Sequence, residues 1–199
     1  MQRFLSRTKA LTGVLFGLIG MVLPMQSVQA QTYIIDPMHT FPSFEADHFG
    51  ASFWRGKFNE SSGKVVLDRV AKKGSIEIEI NTASVDFGYD KMNEHAREAD
   101  LLDVAKYPTA LYKSTAVKFK GDQPVSVEGH LTLHGVTRPV RLRINRFKCF
   151  THPVLKKEAC GADASAVIRR NEFGINYALD FGFSPEVKLA IQVEGLRAD

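Results

Sequence analysis

The chain is 199 residues long, 44% hydrophobic and 24% charged, with a formal charge of +4, so it is long enough to bury a sizeable core and is neither disordered nor strongly polyionic. Three of its basic residues, Arg3, Arg7 and Lys9, sit in the first ten positions, and the charge without them is +1. With no basic cluster interleaved with aromatics elsewhere, a nucleic-acid partner is excluded, and no later segment is long and apolar enough to cross a bilayer.

Residues 1–30 read as a cleaved secretory signal peptide. The three basic residues precede an uncharged apolar run over 10–23, and Val28-Gln29-Ala30 supplies a small-x-small cleavage site. This predicts an exported, periplasmic protein. Residues 31–199 contain no Pro/Ser/Gly tract, low-complexity run or internal repeat, and are expected to form a single domain.

A short strand over 33–36 stops at Pro37. Within 39–49, Phe44, Ala46 and His48 share one parity against Glu45 and Asp47, which turns His48 to the apolar side. Residues 52–68 are β-rich, with bulk from Trp54, Phe58 and Val65 to Leu67 and bends at Gly56 and over 60–63. Residues 75–81 alternate almost ideally, with Ile76, Ile78 and Ile80 inward and Glu77 and Glu79 outward. One helix is predicted, starting with Asp90 as N-cap, carrying Met92, Ala96 and Ala99 on one face and ending before Pro108.

Strands return over 110–120 and in a hairpin over 125–144. There Val125, Val127, Leu131 and Leu133, and then Val140, Leu142 and Ile144, form the apolar face, with an interruption from Gly135 to Pro139. Strands over 162–170 and 186–194 follow, the last with Val187, Leu189, Ile191 and Val193 on one side. About eight alternating strands and one amphipathic helix predict an all-β antiparallel barrel with the helix packed at one end. A barrel of this size holds either packed side chains or one elongated ligand.

Cys149 and Cys160 both fall in the exported part and read as a disulfide; there is no C-x-x-C or haem-attachment motif to favour redox or metal chemistry. No metal site is expected. His130 and His134 lie about 13 Å apart along an extended strand, on its polar parity, and read as solvent-facing. The acidic residues Glu98, Asp100 and Asp103 read as a solvated helix face. With no G-x-S-x-G, dinucleotide-binding or P-loop pattern, no catalytic residue is assigned. His48 is either a hydrogen-bonded core histidine or a ligand contact. The aromatics crowded into the first strands fit core packing and a cavity wall equally well.

A set of motifs then gives the sequence a family likeness. D-x-x-H-T and F-x-A-x-H run from Asp36 to His48, and R-G-K-F from Arg55 to Phe58. INTASVD starts at Ile80, EHAREADLLDVAKYP at Glu94, LTLHGVTRPV at Leu131 and FGI at Phe173. In this order the chain resembles the YceI family. The resemblance implies a lipocalin-like barrel holding a polyprenyl phosphate or isoprenoid quinone in an apolar pore. It makes Phe44, Ala46, His48, Phe49, Trp54, Arg55, Phe58, Ile76, Ile78, Ile80, Leu131 and Leu133 the candidate pore or mouth residues. Binding or transport without catalysis, and without any cofactor beyond the lipid, is the main expectation. Enzymatic action on a head group through His48, and an envelope-stress interaction role, are the alternatives. Transient membrane contact and a homodimer are left open as partners. Pro42, in a strand position, and the aromatic stretch 177–184 depart from the family pattern. An isoprene unit contributes about 3 to 4 kcal/mol of gross burial, so pore length and shape should dominate specificity.

Overall fold

A computed structural model describes residues 30–199, so the expected leader lies outside the described residues except for Ala30. Eleven strand segments make one antiparallel sheet: β1 (Gln31–Ile35), β2 (Phe41–His48), β3 (Ser52–Phe58), β4 (Ser61–Asp68), β5 (Lys73–Asn81), β6 (Val85–Asp86), β7 (Thr109–Lys120), β8 (Gln123–Leu133), β9 (Val136–Thr151), β10 (Glu158–Arg169) and β11 (Glu186–Arg197). The ring β1-β4-β5-β7-β8-β9-β10-β11 closes through pairing of β1 with β11. The result is the expected eight-stranded antiparallel barrel, which leaves no free edge around the ring.

Three of its staves are broken strands. Along the edge of β11, β1 pairs near the C-terminus of that strand and β2 takes over from Gln192 to Val187. β3 pairs β2 while its continuation β4 pairs β1, and β6 and β5 follow the same division. At the first break Thr40 replaces the missing ladder bonds. Its hydroxyl donates to the Glu194 carbonyl at 3.1 Å and accepts from the Glu194 amide at 3.2 Å. Pro42 sits just past this break, paired with Ile191 but ahead of the first β2–β3 pair at Ser43, where its missing N–H deprives no β3 carbonyl of a donor.

One end of the barrel carries the β4–β5, β7–β8 and β9–β10 hairpins. Cys149 and Cys160 face each other across the last of these and are disulfide-bonded, as expected. Tyr33, Leu67 and Cys160 form a small buried cluster at this end, with Val65, Phe119 and Phe147 packed against it. At the other end lie the β2–β3 turn, the helix α1 (Asp90–Arg97) and the segment joining β10 to β11.

Several local expectations are corrected. Asp90 is the first helical residue and the N-cap is Tyr89, which makes no side-chain cap bond; the helix ends at Arg97, so Ala99 lies in the following turn. What fixes α1 is Asn93, whose Oδ1 accepts from the Phe87 amide at 2.7 Å and whose Nδ2 donates to Asp86 at 3.2 Å. The β8–β9 connection is only His134-Gly135, with φ of 51° and 74°, a tight two-residue turn. Gly135 serves it twice, because a Cβ there would also lie 2.5 Å from the Tyr107 ring. Pro139 is therefore inside β9, opposite His130. His134 does not face solvent; its Nδ1 contacts the Phe173 carbonyl at 3.1 Å and its ring packs on Tyr107. Val125 is displaced outward by a bulge, since Lys118 pairs Ser126 while Phe119 pairs Pro124.

Candidate ligand cavity

The inward parity of nearly every stave is apolar, and the barrel is not filled by it. A cavity of about 500 Å³ runs inside, walled by Ile76, Ile78 and Ile80 of β5, Leu131 and Leu133 of β8, and Val187, Leu189, Ile191 and Val193 of β11. Such a volume lies within the range of small-molecule sites. A second void of about 70 Å³ lies towards the disulfide end and shares Val65, Ile76, Ile144, Ala162 and Val193 with the first. The two lie one beyond the other inside the barrel, the smaller towards the disulfide end.

Glycines in the wall determine its shape at two points. A Cβ on Gly56 would lie 2.6 Å from the Phe44 ring and one on Gly129 would lie 2.7 Å from Tyr112, so each absent side chain leaves room for an aromatic ring against the backbone. Tyr112 is buried, its hydroxyl donating to the Val140 carbonyl at 3.0 Å and, more loosely, to that of Val127 at 3.3 Å. Burial, aided by the negative charge of Glu128, pushes its phenol well above the ordinary tyrosine range.

The mouth is built from aromatic side chains. His48 stacks on Trp54 with centroids 4.7 Å apart and meets Phe49 and Phe183 edge-on; Phe44 touches Phe58 and Phe87. Met92, His95 and Ala96 bring α1 against the same opening, and Tyr177 of the β10–β11 connection packs on His95. Phe181 on that connection is 77% exposed and Phe49 is 56% exposed. Phe49 also holds φ at 57°, an uncommon conformation for a bulky side chain, with its ring 4.2 Å from that of Phe183.

Among the candidate residues, Phe44, Ala46, His48, Trp54, Phe58, Ile76, Ile78, Ile80, Leu131 and Leu133 line the cavity. Phe49 and Arg55 do not. Phe49 forms the outer rim, and Arg55 lies on the opposite parity from Trp54 and Phe58, outside the barrel, with its Nε donating to Glu45 at 2.7 Å. The guanidinium that does line the cavity is Arg170, just beyond β10, which the sequence reading missed. The signal was present: Ala162, Ala164 and Ile168 have the parity of Arg170, and all line the interior. His48 makes no hydrogen bond or ion pair with a carboxylate among the described residues; its contacts are aromatic. His95, in the last turn of α1, approaches Glu98 and Asp100 just beyond it, and its Nδ1 lies 3.0 Å from the Glu98 carboxylate.

A closed antiparallel barrel with one end packed and a long apolar cavity opening at the other defines a lipocalin-like binding fold. The family model for the YceI-like domain matches residues 33–195, and this chain belongs to that family. Among its relatives, a UPF0312 protein of Pseudomonas aeruginosa is 37% identical over 172 residues, covering 84% of this chain and 88% of the relative. Protein YceI of Salmonella heidelberg is 36% identical over 186 residues, covering 92% and 95%. BcnA of Burkholderia cenocepacia is similar in structure, with a TM-score of 0.66 and 23% identity over 80% of this chain and 98% of BcnA. A polyisoprenoid-binding domain from Saccharophagus degradans, implicated in plant cell wall breakdown, has a TM-score of 0.60 and 15% identity, covering 85% and 100%. At these identities the two structures speak for the fold alone.

Proposed function

We infer that this protein is an exported binding protein that carries or sequesters an isoprenoid lipid, either a polyprenyl phosphate or an isoprenoid quinone, without catalysing a reaction on it. The observation that carries this reading is the cavity: an apolar interior of about 500 Å³, closed at the disulfide end and open at an aromatic rim. Family membership and the shared fold of a neighbour described as polyisoprenoid-binding support it. Each isoprene unit moved from water into such a wall contributes about 3 to 4 kcal/mol gross, so a tail of several units binds without help from its head. His48 is held by aromatic stacking on Trp54, and the neighbouring Asp47 carboxylate is turned to the Gly50 amide, an arrangement that favours binding over turnover. The leader expected over residues 1–30 makes the periplasm the place of action, and cell fractionation tests that part.

The main test is mass spectrometry of organic extracts from natively purified protein. A polyprenyl lipid in near one-to-one ratio is expected. An empty barrel, or a mixture matching the bulk phospholipid of the cell, would refute the reading.

A further inference from the structure

The two arginines at the end of β10 point to opposite sides of the wall. Arg169 faces outward and pairs with Glu172 and Glu186, each at 3.8 Å. Arg170 lines the cavity and forms no ion pair with any carboxylate among the described residues. Its backbone is fixed on both sides, its amide donating to the Pro185 carbonyl at 2.9 Å and its carbonyl accepting from the Ile175 amide at 3.1 Å. The guanidinium is held by carbonyls as well: Nη1 donates to Ile175 at 3.2 Å and Nε reaches Ser184 at 3.4 Å.

Two of the five guanidinium N–H groups are thus engaged and three remain. Burial alone pushes the pKa of this group down, and no neighbouring charge offsets that effect. A half-buried cation without a counter-charge is an unfavourable thing to keep in an apolar wall. The other fully charged residue lining the cavity is Asp47, and its carboxylate is turned to the Gly50 amide at 3.0 and 3.1 Å. A planar, pre-oriented fork with free N–H groups suits a tetrahedral oxyanion, to which it donates in parallel. A quinone carbonyl would accept one hydrogen bond and leave the charge uncompensated.

We propose that Arg170 is the head-group residue of the cavity and that it selects a phosphate-bearing isoprenoid over a neutral one. This rests on the isoprenoid-binding reading above and narrows it to an anionic cargo. A polyprenyl phosphate and the polyprenol of the same chain length differ only in that head. Trp54, the single tryptophan of the chain and part of the cavity wall, reports their binding by fluorescence.

Delipidated protein titrated with each lipid should bind the phosphate about ten- to a hundredfold more tightly, the span expected for hydrogen bonds to a charged partner. Arg170→Gln should remove most of that difference between the two lipids, and Arg170→Lys should restore part of it. Equal affinity of the wild-type protein for both lipids overturns the inference while leaving isoprenoid binding intact, whether or not the variants fold. Binding of neither lipid overturns the isoprenoid reading and this inference with it. Inorganic phosphate that alone reproduces the Trp54 response would reassign the site to a free anion and overturn the lipid head-group role.

Discussion

Phe49 shows how a single position can be held against its local preference. A left-handed conformation costs an ordinary L-residue about 1 to 2 kcal/mol, which is why Gly and Asn usually occupy it. Here a phenylalanine sits at φ 57°, mostly exposed, against Phe183 at the mouth. Phe49→Asn should therefore raise the melting temperature slightly, by the equivalent of up to about 1 kcal/mol, while slowing lipid uptake through loss of the apolar rim contact with His48 and Phe183. A variant that melts lower and loads lipid normally would show the ring to be structural packing. Tyr112 gives a second prediction at this scale, through pH. Its folded-state pKa is raised above the ordinary value of 10.0 by burial and by Glu128, so the native state keeps a proton that the unfolded state gives up. That contribution is whole below about pH 10 and is lost as pH rises above it. Wild-type stability should thus fall steeply in alkaline buffer, and Tyr112→Phe should flatten the decline. At neutral pH the same variant should cost about 1 kcal/mol for the lost hydroxyl bonds. Tyr33, whose pKa is also raised chiefly by burial, leaves a residual slope.

At the scale of elements, α1 closes part of the cavity mouth and is attached by few bonds. Asn93 joins it to the Phe87 amide and to Asp86, while Arg97 donates to the Ala83 carbonyl at 2.8 Å. Asn93→Ala leaves the Phe87 amide without its acceptor, at a cost of about 1 to 3 kcal/mol. Hydrogen exchange over residues 87–104 should accelerate well before the barrel strands do, and uniform acceleration would mean that helix and barrel unfold as one unit. The elements also show what the sequence could reveal. Alternation marked nearly every strand and turned Ile76, Ile78, Ile80 and the last-strand aliphatics inward, because side-chain direction follows parity, but it did not carry along β9 past Ile144, where a register shift moves the inward set to Phe147 and Cys149. It also held the answer for two arginines: Arg55 shares the outward parity of Lys57, and Arg170 the inward parity of Ile168. The break between β1 and β2 was legible as the stop at Pro37, but the exchange of partners, β1 and β4 on one side and β2 and β3 on the other, was not, because it is a property of the closed ring. Nor was the bulge at Val125, which shows only in the register with β7 and reverses the parity from which its burial was read.

For the whole molecule, closure determines how deep a ligand entering the cavity could reach. Because the ring has no edge and the disulfide end is packed by Tyr33, Leu67 and Cys160, a tail entering from the aromatic rim can extend only until the interior tapers. On the proposed function, tail length would be read by the distance from rim to taper, with residues midway acting as a stop. Ala164 of β10 is such a residue, buried in the wall and small beside Ile144 across the ladder. Ala164→Phe would project a ring into the lumen and occupy volume that the tail otherwise fills. Overpacking of a filled core typically costs about 1 to 3 kcal/mol, whereas a ring entering an open cavity meets no such obstruction. Stability should therefore change little. The isoprenoids extracted from the variant should shift to shorter chains, and the affinity for a fixed long-chain polyprenyl phosphate should fall, with that for a short-chain analogue preserved. A strongly destabilised Ala164→Phe protein would instead mean that this level of the barrel is core, and an unchanged chain-length distribution would mean that the tail ends before reaching it.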